Sequence, residues 1–167
     1  MKKIIAVLAA LSMLLCAAAC SNNKENNENN SSSVTTAASS ISCQEVYDEI
    51  SSVAKFPEMV SVQSKSLSNR YGIEQNMYTD YVFMTAQEAT LCDTFILINT
   101  NSDESKDAVI EKLESFIKQS IETNVDYNPD QYEIIKDASV KTSGNFVYLV
   151  FSADSDLIEE MIKEKMN

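Results

Sequence analysis

Residues 142–153 read TSGNFVYLVFSA. The Thr-Ser-Gly-Asn opening is a turn signal, with Gly144 free to take a positive φ. Beyond it, side chains alternate between two sets, and both sets are apolar: Phe146, Tyr148 and Val150 on one, Val147, Leu149 and Phe151 on the other. A strand that is apolar on both faces has to be covered on both. The segment therefore predicts a central strand with packed structure above and below it. Upstream, YEIIKDASVK (132–141) reads as its partner, giving a strand–turn–strand unit.

Working outward, YVFMTA (81–86) and DTFILINT (93–100) are rich in β-forming residues. A loop around Gln87 to Cys92 joins them as an antiparallel pair. Asp103 to Val125 is the clearest helix. Val109, Ile110, Leu113, Phe116, Ile117, Ser120, Ile121 and Val125 trace one stripe, and charged residues fill the other faces. Ser102 or Asp103 supplies its N-cap.

Three further helices frame these elements. Near the start, Ser42 with Glu45 makes a capping box, and Val46, Ile50, Val53 and Ala54 follow at helical spacing, with Pro57 marking the exit. SKSLSNRYGI (64–73) predicts a short helix stopped by Gly72. At the end, Leu157, Ile158, Met161 and Ile162 make a narrow stripe, with acid early and lysine late. The order is helix, short helix, ββ, long helix, ββ, helix. It predicts one small α+β domain over residues 43–167, with a ββαββα core and a roughly four-stranded, mainly antiparallel sheet.

The N-terminal part has another character. Lys2 and Lys3 precede an apolar run from Ile4 to Leu15, broken only by Ser12, and Ala17 to Ala19 follow. This is the layout of a secretory signal over residues 1–19. The run is shorter than the about 20 residues of a membrane-spanning helix. The stretch AAAC (17–20) resembles a bacterial lipobox. That resemblance implies a diacylglyceryl thioether on Cys20, cleavage before it, and attachment to the outer face of the cell membrane, although Ala17 replaces the more usual Leu. Residues 20–42 are dominated by Ser, Thr and Asn, with Val34 and Ile41 their only aliphatic residues. Such a segment buries too little to offset its ordering entropy and reads as a disordered tether.

Composition narrows the function classes. The formal net charge is −12, and the chain has no histidine and no tryptophan. Both signal lysines lie in the leader, so the mature chain is more acidic still. That argues against nucleic acid, whose binding surfaces cluster Lys and Arg. Without histidine, Ser–His and Cys–His nucleophile pairs are impossible. The expectation is a non-enzymatic binding or scaffolding module at the cell envelope, with no catalytic residue, metal or cofactor assigned. Its protein or cell-wall partner is unknown. The alternatives are an envelope enzyme using carboxylates and a single-domain binder of a small solute.

Several residues invite a sharper reading. Cys43 and Cys92 are an even pair in an exported chain. They are open to a disulfide, to two unrelated thiols, or to metal or redox chemistry. Asp126, Asn128 and Asp130, with Asp137 at the twelfth position, follow the opening of a calcium loop. Gln131 stands where that loop needs glycine, so the stretch reads instead as a helix-to-strand connection with Pro129 fixing the turn. Tyr71, Tyr78, Tyr81, Tyr127 and Tyr132 are candidates for an aromatic platform or, alternatively, for the rim of a core. Glu88 and Asp93 bracket the first hairpin loop, either as an acid–base pair or as solvated loop carboxylates.

LSNRYGI (67–73), YNPDQYEII (127–135) and GNFVYLVFSAD (144–154), in that order and spacing, resemble an uncharacterised family of lipoproteins from low-GC Gram-positive bacteria. The family is catalogued only as a domain of unknown function. The resemblance covers roughly residues 44–165 together with the lipobox and tether layout. It implies a membrane-anchored extracytoplasmic domain, and it carries no activity, ligand or catalytic residue.

Overall fold

In the computed structural model, which describes residues 41–166, the doubly apolar segment forms strand β5 (Phe146–Phe151), and every residue after Phe146 is buried. The signal segment, Cys20 and most of the tether lie outside the described residues. The remaining elements are α1 (Cys43–Ser51), β1 (Met59–Ser61), α2 (Ser64–Tyr71), a 3₁₀ turn (Gln75–Met77), β2 (Tyr78–Ala86), β3 (Thr94–Thr100), α3 (Asp103–Asn124), α4 (Pro129–Ile135), β4 (Lys141–Ser143) and α5 (Ser155–Met166).

The strands form one sheet in the order β1-β2-β3-β5-β4, with every neighbouring pair antiparallel. The α+β class and the mainly antiparallel sheet are as the sequence predicts. The fifth strand is an addition. β1 has only three residues, too few to show a period, and it is held at the edge by pairing with Met84–Ala86.

A second difference lies before β4. The predicted strand over 132–141 is mostly helix: Pro129 opens α4 at its first position, where a fixed φ and a missing N–H cost nothing. Only Lys141–Ser143 remain as strand. The turn itself is as expected, with Gly144 at φ 57°. Ser143 pairs with Phe146 across it, so the loop is two residues.

Helices cover both faces of the sheet. On one face, α2, α3 and α4 bury Leu67, Val109, Leu113, Ile117 and Ile135 against Phe83, Ile96, Ile98, Val147, Leu149 and Phe151. On the other, α1 and α5 bury Val46, Tyr47, Ile50, Ile158 and Ile162 against Val82, Phe95, Leu97, Tyr148 and Val150. Each face has its own aromatic cluster. Phe116 packs with Tyr71, Phe83 and Phe151 at centroid distances of 5.3, 6.3 and 5.5 Å. Tyr47 and Phe56 pack on Phe95 at 5.2 and 6.4 Å.

Local chemistry sets the helix ends. Ser42 and Glu45 form the predicted capping box, with Glu45 N–H donating to Ser42 Oγ at 3.2 Å and Ser42 N–H to Glu45 Oε2 at 2.9 Å. The Ser42 N–H holds the Glu45 carboxyl below the usual range. Ser105 N–H donates to Ser102 Oγ at 3.1 Å, and Asp103 and Glu104 occupy the first turn of α3, where the helix dipole favours negative charge. Gly72 ends α2 in the left-handed conformation at φ 67°.

Candidate functional site

β3 is paired on both sides along nearly its whole length, but β5 is not. β3 pairs with β5 from Phe146 to Phe151, whereas β4 pairs only with Phe146, Val147 and Tyr148. The connector after α4 turns away first, with Ala138 N–H donating to Ile135 O at 3.1 Å. Past Tyr148, the outer edge of β5 borders a cleft of about 420 Å³.

Val150 and Ser152 lie at the base of this cleft. Ile134, Asp137 and Ala138 form one wall, Ser155, Asp156 and Glu159 on α5 form the other, and Glu133 and Lys141 also contribute. The start of α5 is tied to the floor: Asp154 N–H donates to Ser152 Oγ at 3.2 Å, and Ser155 N–H to Ser152 O at 3.2 Å. The lining carries four carboxylates against one lysine. Glu159 pairs with Lys141, and Glu133 pairs with Lys136 outside the lining. Among the described residues neither Asp137 nor Asp156 has an ion-pair partner.

The Tyr148 side chain lies beside this lining. Tyr148 is directly opposite Lys141 in the ladder and close enough to Glu159 and Lys141 to feel both charges; burial is the main cause of its raised pKa. Its hydroxyl is buried and has no hydrogen-bond partner.

The residues singled out from sequence are dispersed. Asp126, Asn128 and Asp130 stand at the start of α4, and Asp137 lies beyond its end, so no calcium loop forms. The stretch joins helix to helix, not helix to strand. Asn128 donates its side-chain amide to Thr90 O at 3.0 Å. Gln131 is buried and accepts from Cys92 N–H at 2.6 Å, fastening the hairpin loop to α4. Among the described residues no group of three or more His, Cys, Asp or Glu is placed to hold a metal.

The tyrosines do not form one platform. Tyr71, Tyr78 and Tyr81 pack against the α3 side of the core, Tyr81 donating its hydroxyl to Val62 O at 3.2 Å, while Tyr127 is 89% exposed. Glu88 is exposed and accepts from the Thr90 hydroxyl at 2.6 Å. Asp93 is buried, and burial holds its carboxyl above the usual range. No hydrogen bond joins the two.

Cys43 and Cys92 are both free. The disulfide alternative is not formed, because the sheet lies between them: Cys43 belongs to the α1–α5 side of the core, and Cys92 packs on the α3 side. Burial, reinforced by Asp80, pushes the Cys43 thiol far up. A thiol that stays protonated is a poor nucleophile. Asp80 is a structural residue that hydrophobic patterning missed. Its Oδ2 accepts from Cys43 N–H at 2.7 Å and its Oδ1 from Tyr81 N–H at 2.8 Å, tying the positive end of α1 to β2.

This arrangement defines a three-layer α/β/α domain with an acidic cleft at a half-open strand. A family model described as a domain of unknown function (DUF4358) matches residues 52–152, more than half of the chain. The chain belongs to that family. No curated relative and no solved structure matches it. The matched segment contains the whole sheet and α2, α3 and α4, and it leaves out α1 and α5. No helix among the described residues is long and apolar enough to cross a membrane.

Proposed function

We propose that the protein is a lipid-anchored extracytoplasmic binding module, held by Cys20 on the outer face of the cell membrane and working without catalytic chemistry of its own. The observation that carries this reading is the run from Lys2 through the apolar segment to AAAC, followed at once by a polar tether. A diacyl anchor gives stable membrane attachment, where a single acyl chain gives only marginal binding. The acidic cleft supports a binding role: it offers carboxylates without ion-pair partners as recognition features.

The test has two arms. Cys20→Ala should abolish incorporation of a labelled lipid precursor and move the protein to the medium or leave it as uncleaved precursor; equal labelling of variant and wild type would place the anchor elsewhere. Crosslinking in intact cells should recover a specific partner bound to the folded domain, and turnover of an envelope substrate by the purified mature chain would instead favour an enzyme.

A further inference from the structure

We propose that the groove between the end of α2 and one face of α3 binds a carboxylate-bearing saccharide, with Arg70 holding the carboxylate and the amides and hydroxyls of α3 holding the sugar hydroxyls. This names a ligand class for the binding reading above and rests on that reading.

The first support is where the chain leaves acid out. On α3, Lys112, Phe116, Gln119, Ser120, Thr123 and Asn124 recur at spacings of three and four and so share one face. The helix carries six acidic residues, Asp103, Glu104, Asp107, Glu111, Glu114 and Glu122, and none of them lines the groove. By contrast, the cleft beside β5, the one between α3 and residues 138–140 and the one at Pro57 are each lined by two or more carboxylates. A helix face that served only solubility would favour Glu and Lys, which are better helix formers than Ser, Thr and Asn.

The second support is the set of groups that converge there. Arg70 is the chain's only arginine. It borders a hollow of about 540 Å³ with Tyr71, Phe116 and the α3 amides and hydroxyls. Lys112 borders an adjoining hollow of about 110 Å³, which shares Arg70, Tyr71, Phe116 and Gln119 with the first. In a chain of formal net charge −12, neither Arg70 nor Lys112 has an ion-pair partner among the described residues. The C-terminus of α2 favours a cation nearby, but two unpaired cations beside an acid-free face go beyond what it needs. A guanidinium presents a planar fork that matches a carboxylate.

The rest of the groove suits a sugar. Tyr71 and Phe116 meet edge to face at 5.3 Å and are braced from behind by Phe83 and Phe151 at 4.7 and 5.5 Å, a fixed apolar floor for the C–H face of a sugar ring. Thr123 Oγ1 donates to Gln119 O and Asn124 Nδ2 to Ser120 O, both at 2.8 Å. Those bonds hold the Thr123 hydroxyl oxygen and Asn124 Oδ1 in place as acceptors, while the Gln119 amide is exposed. An apolar base with a few placed polar groups is the usual make-up of a small-ligand cleft. An acidic peptide supplies the carboxylate but few hydroxyls for the α3 face, and nucleic acid needs a larger basic cluster.

The experiment titrates the mature chain, in detergent, with a trisaccharide carrying one terminal glucuronate, followed by calorimetry and amide NMR. Saturable binding is expected, with shifts centred on Arg70, Gln119 and Asn124 and affinity falling as salt rises. The neutral trisaccharide with glucose in place of glucuronate should bind about tenfold more weakly, and an end-blocked Ser–Glu–Ser peptide should not bind. Arg70→Gln and Gln119→Glu, both at exposed positions, should each lose about tenfold in affinity with an unchanged melting temperature. Asp137→Asn, in the acidic cleft, should bind as wild type does. Absence of trisaccharide binding, equal affinity for the neutral sugar, or shifts confined to another surface would each overturn the proposal. Equal binding of the peptide would make the ligand an acidic peptide and overturn the saccharide. A partner crosslinked in intact cells through another surface, with no trisaccharide bound, would overturn the groove and keep the binding reading.

Discussion

The two faces of the sheet are built from different parts of the chain. The α3 side is covered by α2, α3 and α4, all inside the segment that defines the family. The α1–α5 side is covered by the two helices that lie outside it. Yet β3 and β5 are buried equally toward both, Phe95, Leu97, Tyr148 and Val150 on one side and Ile96, Ile98, Leu149 and Phe151 on the other. A central strand with apolar residues on both faces cannot stand with one face wet. The family segment alone therefore leaves a large apolar surface uncovered, and the flanking helices complete the domain. The acidic cleft depends on this as well, since one of its walls is α5.

The sharpest way to break the comparison is to empty one side chain on each face. Phe95 and Leu149 sit on adjacent strands and point to opposite layers. Phe95→Ala should cost about 3–5 kcal/mol and Leu149→Ala about 2–5 kcal/mol, through lost transfer energy and the cavity left behind. Urea melts would measure both. If Phe95→Ala melted like wild type, the α1–α5 layer would not be packed on the sheet, and only the family segment would carry stability. Phe116→Ala should cost less, about 1–3 kcal/mol. Its ring is half-buried: it closes the rim of the α3 layer against Tyr71 and Phe151. A loss as large as that of Leu149→Ala would make Phe116 a core residue, as its mid-stripe position suggests.

The two faces also differed in how legible they were. The α3 stripe could be read directly, because α3 is long and its buried residues Val109, Leu113 and Ile117 repeat at helical spacing. The same logic found Val46 and Ile50 on α1 but placed Val53 in the stripe, and Val53 is 61% exposed because the helix ends at Ser51. It passed over Cys43 and Tyr47, both buried, because a cysteine and a tyrosine blur a hydrophobic pattern. The misread strand at 132–141 has a physical cause. Tyr132, Ile134 and Ile135 suit a strand by propensity, but Pro129 fixes a helical start and Gln131 is held by Cys92 from a distant loop. Tertiary contact decided that segment. The cleft was invisible for the same reason: its carboxylates are far apart in sequence and meet only because β4 is three residues long.

A smaller effect is expected at the start of α1, where Ser42 caps the helix that covers the outer layer. Ser42→Ala removes the acceptor for Glu45 N–H and should cost about 1 kcal/mol. The Glu45 carboxyl is held low by the Ser42 backbone and hydroxyl, so its contribution is present above the usual Glu range and fades as pH falls through the folded value. Alanine keeps the main-chain N–H, so the wild-type advantage over Ser42→Ala should narrow in acid only by the hydroxyl's smaller share. An advantage that is flat with pH would show that the hydroxyl acts only as the acceptor for Glu45 N–H and not on the Glu45 carboxylate.

The smallest effect should have the opposite sign. Asp93 sits at the mouth of β3, where its backbone carbonyl accepts from Ala86 N–H at 2.8 Å while its side chain is buried and has no ion-pair partner. Burial raises its folded pKa, offset only in part by its own backbone N–H. A carboxyl with a raised folded pKa binds its proton more tightly in the native state than in the unfolded chain. The native protein then loses stability as pH rises from the usual Asp range through that raised value. Asparagine keeps the shape and an oxygen able to accept the same N–H, and it removes the buried charge. Asp93→Asn should thus raise the melting temperature slightly at neutral pH, and the gain should vanish as pH falls below the usual Asp range, where wild type is also uncharged. Paired thermal melts across that range would decide it. A variant less stable than wild type at neutral pH would mean that the carboxylate makes a favourable contact at the head of β3, and that the hairpin loop, like the acidic cleft beyond β5 at the same end of the sheet, is built to hold negative charge.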